Sequence, residues 1–125
     1  MARILLADDD LASLEVMTLA VEAEGHEVLQ VSNGQEAYEQ TLSHRPDLVF
    51  LDVMMPVFDG YQTCEMMRND PDIAPSLPII FLTAVEVDNK RIEEVGASGY
   101  LSKRHAVTEL RELLVRHLGP KANPR

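Results

Sequence analysis

The sequence has little of what several classes of protein require. Its single cysteine, Cys64, can neither close a disulfide within the chain nor supply a cluster of thiolate metal ligands, so a reducing cytoplasm is the compartment we expect. No apolar run approaches the roughly 18 residues of a membrane-spanning helix, and the first residues lead into a strand-like run rather than a signal sequence. We therefore expect a soluble, unprocessed protein with no membrane insertion.

Basic residues are also scarce. The chain has 11 lysines and arginines against 21 aspartates and glutamates, a formal net charge of −10. The summed negative field repels phosphate backbones and anionic membranes, which argues against direct binding of nucleic acid. The 125 residues are 46% hydrophobic and 26% charged, a length and composition typical of one globular domain. We assign residues 1–120 to that domain and residues 121–125 to a disordered tail.

Short apolar runs alternate five times with longer stretches of helical periodicity. The predicted strands cover residues 4–7, 26–31, 48–51, 79–82 and 99–102. The predicted helices lie near residues 11–21, 35–43, 60–68, 86–95 and 110–118, with Gly25, Gly96 and Gly119 as expected helix stops. Each helical crossover returns the chain in the same direction, and right-handed crossovers then predict a doubly wound α/β fold. A five-stranded parallel sheet of order 2-1-3-4-5, as in flavodoxin-like folds, fits this count.

Polar side chains follow four of these strands, and the carboxyl ends of parallel strands meet at one edge of the sheet. Asp8 and Asp9 follow the first strand and Asp52 follows the third, which would be its neighbour about 4.8 Å away. Three carboxylates in one cavity either raise one another's pKa or recruit a cation, and an all-oxygen ligand set suits Mg²⁺ or Mn²⁺. The sequence therefore predicts a divalent metal site.

Two further groups at this edge point to a phosphoryl group. Thr83 follows the fourth strand and Lys103 follows the fifth. The metal, the Lys103 ammonium and the Thr83 hydroxyl could each take one phosphoryl oxygen while Asp52 attacks phosphorus. Taken singly, Asp9 and Thr83 could merely cap helices and Lys103 could be a solvated charge. Only the combination at four strand ends indicates one phosphoryl site.

These segments closely resemble a response-regulator receiver domain of two-component signalling systems, over nearly the whole chain. The residues that carry the resemblance are Asp8-Asp9, Leu51-Asp52-Val53-Met54-Met55-Pro56 with Asp59-Gly60, Phe81-Leu82-Thr83-Ala84 and Gly99-Tyr100-Leu101-Ser102-Lys103. The resemblance implies that Asp52 accepts a phosphoryl group from a histidine kinase or a histidine phosphotransfer protein. It also implies that Asp8, Asp9, Asp52 and the Met54 carbonyl bind Mg²⁺, and that Thr83 and Lys103 hold the phosphoryl oxygens.

The resemblance implies a signalling role rather than enzymatic turnover. The chain would be a stoichiometric phosphoacceptor, similar to a stand-alone chemotaxis regulator, with self-catalysed phosphotransfer and slow loss of the phosphoryl group. Thr83 and Tyr100 would form the switch, with Tyr100 moving inward and changing a surface made by the fourth helix, fifth strand and fifth helix. A plain core role is the alternative for Tyr100. The implied partners are a downstream protein target or output domain, and a phosphorylated chain could form a homodimer.

The sequence departs from the receiver pattern in three places. Arg104 follows Lys103 where receivers usually have a proline joined by a cis peptide bond, so we expect a trans bond there. The interval from Thr83 to Lys103 is short, which predicts a truncated or reoriented fourth helix. Met54 and Val85, two residues beyond Asp52 and Thr83, cannot orient an attacking water, which predicts a long-lived phosphoaspartate.

Three alternatives remain open on the sequence. A metal-dependent phosphohydrolase would need a second acid two residues after the nucleophile, where Met54 stands. A flavodoxin-like cofactor binder would need a loop rich in Ser, Thr and Gly after the first strand, where Asp8-Asp9-Asp10 would repel phosphate. A phosphorylation-independent interaction module with the same fold is kept open by Arg104.

Overall fold

Five strands and five helices alternate in the computed structural model, which describes residues 2–84 and 86–119. The strands are β1 (Arg3–Ala7), β2 (Glu27–Val31), β3 (Leu48–Asp52), β4 (Ile79–Thr83) and β5 (Gly99–Ser102). The helices are α1 (Leu11–Ala23), α2 (Gly34–His44), α3 (Gly60–Asn69), α4 (Asn89–Glu94) and α5 (Ala106–Leu118). No helix in these ranges is long and apolar enough to cross a membrane.

All strand pairs are parallel, and the sheet order is β2-β1-β3-β4-β5. The predicted fold and strand order are therefore confirmed. The register aligns the carboxyl ends: Ala7 of β1 lies beside Leu51 of β3, and Asp52 lies beside Leu82 of β4. Thr83 in turn lies beside Ser102 of β5. The residues that end these strands consequently share one edge of the sheet.

The core consists of two apolar layers, one on each face of the sheet. Every residue of β3 and β4 is buried, as expected for central strands covered on both faces. Alternate residues of these strands point to opposite faces, so Phe81 packs in the layer that includes residues of α2, α3 and α4. Phe50 packs in the layer that includes residues of α1 and α5. This division of helices between the two faces is the doubly wound arrangement.

Side-chain caps explain most of the helix limits. The Asp10 and Asn33 side chains accept from the amides of Ala12 and Glu36 at the starts of α1 and α2. A reciprocal pair of hydrogen bonds between Asp59 and Gln62 forms a capping box at the start of α3. The predicted helix stops Gly25, Gly96 and Gly119 have φ of +89°, +81° and +86°, in the region that favours glycine.

The prediction for α4 was wrong at its amino end. The sequence analysis placed this helix at residues 86–95, whereas it covers Asn89–Glu94. Asp88 adopts an extended backbone and its side chain accepts from the amides of Lys90 and Arg91, which fixes it as the N-cap and excludes Glu86 from the helix. The expectation of a truncated fourth helix holds.

Two expectations concern backbone outside regular elements. The described residues contain no cis peptide bond, so the bond between Lys103 and Arg104 is trans as expected. Val85 and the tail at residues 121–125 lie outside the described residues, as does the predicted domain end at residue 120.

Candidate functional site

Three carboxylates meet where β1 and β3 end. Asp8 directly follows β1 and Asp52 is the last residue of β3. One carboxylate oxygen from each of Asp8, Asp9 and Asp52 lies within 4.8 Å of the other two. Asp8 and Asp52 are only 1% and 4% exposed, whereas Asp9 is exposed. The cluster thus has two buried acids and one at its mouth, as the strand ends predict.

Lys103 reaches into this cluster from the end of β5. Its Nζ lies 2.8 Å from Oδ2 of Asp52 and 2.8 Å from Oδ2 of Asp8. Its backbone N–H donates to the Thr83 carbonyl over 2.8 Å, which keeps the chain after β5 beside the end of β4. One ammonium faces three carboxylates, so the site retains an excess of negative charge.

Burial and the shared ammonium shift the three pKa values differently. Burial raises the pKa of Asp52 to about 6, because donation from Lys103 only partly offsets burial and the nearby Asp8 adds to it. Burial also raises the pKa of Asp8, but the nearby Lys103 ammonium and donation from the Asp10 amide outweigh burial and hold that pKa below its ordinary value. Burial lowers the pKa of Lys103, but its bonds to Asp52 and Asp8 outweigh burial and raise it. The net cost of burying the two acids therefore falls on Asp52.

The donor atoms fit a hard divalent cation. Oδ2 of Asp8 is buried and accepts no hydrogen bond, although Nζ of Lys103 lies 2.8 Å away as an ion pair. The ion pair gives electrostatic contact without the geometry of a hydrogen bond, so this oxygen keeps unused acceptor capacity. An incompletely satisfied set of carboxylate oxygens with excess negative charge suits Mg²⁺ or Mn²⁺ better than a metal that prefers nitrogen or sulfur ligands.

Backbone amides orient the two buried carboxylates. The Asp10 N–H donates to Oδ1 of Asp8 over 2.9 Å, and the Met54 N–H donates to Oδ1 of Asp52 over 3.1 Å. The Met54 side chain is 67% exposed. The sequence analysis missed the Asp10 contact, although an Asp-x-Asp spacing at a helix start is a recognisable signal for such a turn.

Thr83 and Tyr100 lie on neighbouring strands near the cluster. Thr83 ends β4 beside Ser102 and is 2% exposed. Tyr100 lies on β5 beside Phe81, but its side chain is 49% exposed, so it is not a core aromatic in this structure. The predicted site residues Asp8, Asp9, Asp52, Thr83 and Lys103 therefore share one edge of the sheet, with Tyr100 nearby on the surface.

These features define a class: a doubly wound α/β domain with a lysine-bridged acidic cluster at the carboxyl ends of its strands. The model of the family described as response regulator receiver domain matches residues 4–115. The chain belongs to this family, the receiver domains of two-component systems.

Individual relatives agree with this assignment. The response regulator MprA of Mycolicibacterium vanbaalenii is 40% identical over 110 residues, which cover 86% of this chain and 46% of MprA. The chain thus spans about half the length of such relatives. A similar solved structure is the receiver domain of sensor histidine kinase PA1611 from Pseudomonas aeruginosa, with magnesium in its active-site cleft. It has a TM-score of 0.85 and 29% identity, and the match covers 95% of this chain and 98% of the PA1611 chain. Thermotoga maritima TrrA, in complex with Mg²⁺ and BeF, has a TM-score of 0.83 and 30% identity, covering 94% and 99%.

Asp52→Asn should stabilise the metal-free protein at neutral pH. The pKa of Asp52 rises from its ordinary 3.8 to about 6 on folding, so between these values the native state binds more protons than the unfolded state. The free energy of unfolding of wild type then falls as pH rises through this window. Above the window, wild type has lost all the stability that ionisation of Asp52 costs. We expect the variant to match wild type near pH 3 and to exceed it by about 3 kcal/mol near pH 8, measured by urea unfolding in EDTA.

The exposed Asp72 offers a matched control, because Asp72→Asn makes the same chemical change away from the cluster. It should alter stability little at any pH. An Asp52→Asn variant that is no more stable than wild type near pH 8 would contradict the cost of burial described above.

Proposed function

We propose that Asp52 is a phosphoacceptor that receives a phosphoryl group from a histidine kinase or a histidine phosphotransfer protein in a Mg²⁺-dependent reaction. One carboxylate oxygen of Asp52 forms the bond to phosphorus as the bond between phosphorus and the donor imidazole breaks. The imidazole nitrogen keeps the electron pair of that bond. The observation that carries the proposal is the contact of one buried carboxylate, Asp52, with both an ammonium and a second buried acid.

Each neighbouring residue has a distinct role in this reaction. Asp8, Asp9, Asp52 and the Met54 carbonyl would hold Mg²⁺ or Mn²⁺, which when bound neutralises charge on the transferring phosphoryl group. Formation of the acyl phosphate frees Lys103 from its contact with the Asp52 carboxylate, and its ammonium then binds a phosphoryl oxygen. The Thr83 hydroxyl donates to another phosphoryl oxygen. Since the pKa of Asp52 is about 6, its side chain is ionised in most molecules at neutral pH and can act as the nucleophile.

The output of the reaction is a changed surface. Thr83 is drawn toward the phosphoryl group, and Tyr100 moves from its half-exposed position into the space beside β4. This changes the surface formed by α4, β5 and α5, which a downstream protein target or an output domain binds. A phosphorylated chain could also pair with a second copy through this surface. The protein acts stoichiometrically rather than as an enzyme with turnover.

Arg104 leaves Lys103 in contact with Asp52 and Asp8, although it replaces the usual proline. This weighs against the phosphorylation-independent alternative. The Arg104 N–H donates to Oγ of Ser102 over 3.2 Å, closing a short turn with a trans peptide bond. Lys103 still contacts both buried carboxylates from this turn. A phosphohydrolase is disfavoured for another reason, since the exposed Met54 side chain offers no acid or base for turnover.

Treatment with acetyl phosphate and Mg²⁺ should add the mass of one phosphoryl group to the intact protein. The added mass should be absent from Asp52→Ala, which lacks the nucleophile, and from wild type in EDTA. Asp72→Ala removes an exposed carboxylate elsewhere and should still gain the full mass. Intact mass spectrometry reads all four samples, and equal labelling of wild type and Asp52→Ala would refute Asp52 as the acceptor.

The phosphoryl group on Asp52 should persist for many minutes in purified protein with Mg²⁺ and no phosphatase. The Met54 thioether cannot orient a water for attack on phosphorus. Met54→Asn places an amide there and should speed loss by at least about tenfold, followed by intact mass over time. Loss from wild type within seconds, or no acceleration in Met54→Asn, would show that position 54 does not set the rate.

A further inference from the structure

Helix α3 presents a stripe of three side chains to α4 and to the turn that follows it. The stripe consists of Tyr61, Cys64 and Arg68, at spacings of three and four residues, which place them on one helix face. Each of the three contacts a different part of the segment formed by residues 88–98. This segment includes α4 and is called the α4 segment below.

Tyr61 holds the amino end of the α4 segment. Its hydroxyl accepts from the Asp88 N–H over 3.3 Å, and the Arg91 guanidinium carbon lies 4.6 Å from the centre of its ring. The same ring packs edge-on against Phe81 of β4, with centroids 5.0 Å apart and an interplanar angle of 72°. Tyr61 therefore joins the N-cap and the first turn of α4 to the sheet.

Cys64 and Arg68 hold the carboxyl end of the α4 segment. The Cys64 thiol donates to the Val95 carbonyl over 3.4 Å, and Nε of Arg68 donates to the Gly96 carbonyl over 2.8 Å. The Arg68 guanidinium also donates to Oγ of Ser98 over 3.4 Å. Carbonyls at and just beyond the end of a helix lack partners within it, so these two α3 side chains complete the end of α4.

The α4 helix is too short to hold its position alone. It contains six residues, of which Ile92 is buried, and a helix of this length is not stable by itself in water. Its position therefore depends on contacts with the rest of the fold. These are the α3 stripe, the burial of Ile92 and Val95 in the core, and the bonds between Ser98 and Ile79 of β4.

The amino end of α3 is in turn fixed against the acceptor strand. The Gly60 N–H donates to the Val53 carbonyl over 2.9 Å. A Cβ at Gly60 would lie 2.6 Å from the Asp52 carbonyl oxygen and 2.8 Å from the Cα of Val53, so the two backbones are in direct contact. A shift of the backbone at Asp52 and Val53 must consequently displace the start of α3.

We propose that α3 transmits the state of Asp52 to the α4 segment through Tyr61, Cys64 and Arg68. This route is separate from the one through Thr83 and Tyr100. Transmission by this route rests on the proposed phosphorylation of Asp52. The anchoring of the α4 segment by α3 does not depend on phosphorylation.

Hydrogen exchange tests the anchoring in the metal-free protein. The double variant Tyr61→Leu/Arg68→Met removes the contacts at both ends of the α4 segment, and its amides there should exchange at least about tenfold faster than in wild type. The control Tyr38→Phe removes a tyrosine hydroxyl that bonds Asp70 on another part of the fold, and should leave the α4 segment unchanged. Unchanged exchange in a folded double variant would overturn the proposal. If the double variant does not fold, Tyr61→Phe takes its place, because it loses only the hydroxyl contact with Asp88. Its amides at the amino end of the α4 segment should still exchange faster than in wild type. Unchanged exchange there would also overturn the proposal.

Amide chemical shifts with Mg²⁺ and beryllofluoride test the transmission. In wild type, shifts should change at Met54 and Thr83 beside the site and at Ile92 and Val95 in the α4 segment. The double variant, or Tyr61→Phe in its place, should keep the changes beside the site and lose at least half of those in the α4 segment. Equal α4 responses in wild type and variant would overturn transmission through α3. Absence of any response beside the site in wild type would instead count against the proposed function, while the exchange result on anchoring would stand.

Discussion

The structure depends on an electrostatic imbalance: two buried carboxylates share one ammonium, and a third carboxylate lies beside them at the surface. Asp8 and Asp52 both contact Nζ of Lys103, and burial prevents water from screening their repulsion. Burial, with a smaller contribution from Asp8, raises the pKa of Asp52, whereas the Lys103 ammonium and the Asp10 amide outweigh burial at Asp8 and lower its pKa. The excess of carboxylates over ammonium also explains why the site suits a divalent cation.

The sheet creates this imbalance by its topology. Parallel strands with helical crossovers bring the carboxyl ends of β1, β3, β4 and β5 to one edge. Asp8 and Asp52 could therefore be placed together from the sequence, because each follows or ends a short apolar run typical of a buried strand. Lys103 joins them because it follows the fifth run of the same alternating pattern. The sheet order follows from the same topology, and the carboxyl ends of three helices were predictable because Gly25, Gly96 and Gly119 are local stop signals.

Side-chain packing between elements was not accessible to this reasoning. The start of α4 was misplaced because the helical periodicity of residues 86–95 does not reveal that Asp88 caps the helix. The contact of Tyr61 with Arg91 and the bond from Arg68 to the Gly96 carbonyl depend on how α3 and α4 pack, which a single sequence does not specify. Likewise, Tyr100 could not be placed inside or outside the core, because alternation along a four-residue strand at the edge of the sheet is a weak signal.

Cation linkage to stability tests the central claim most directly. If the carboxylate imbalance forms a divalent metal site, millimolar Mg²⁺ should raise the melting temperature of wild type by several degrees, because the ion binds the folded state alone. The gain should be much smaller in Asp9→Asn, which removes one carboxylate of the cluster at its exposed mouth. Equal gains in the two proteins, or no gain in wild type, would contradict the account.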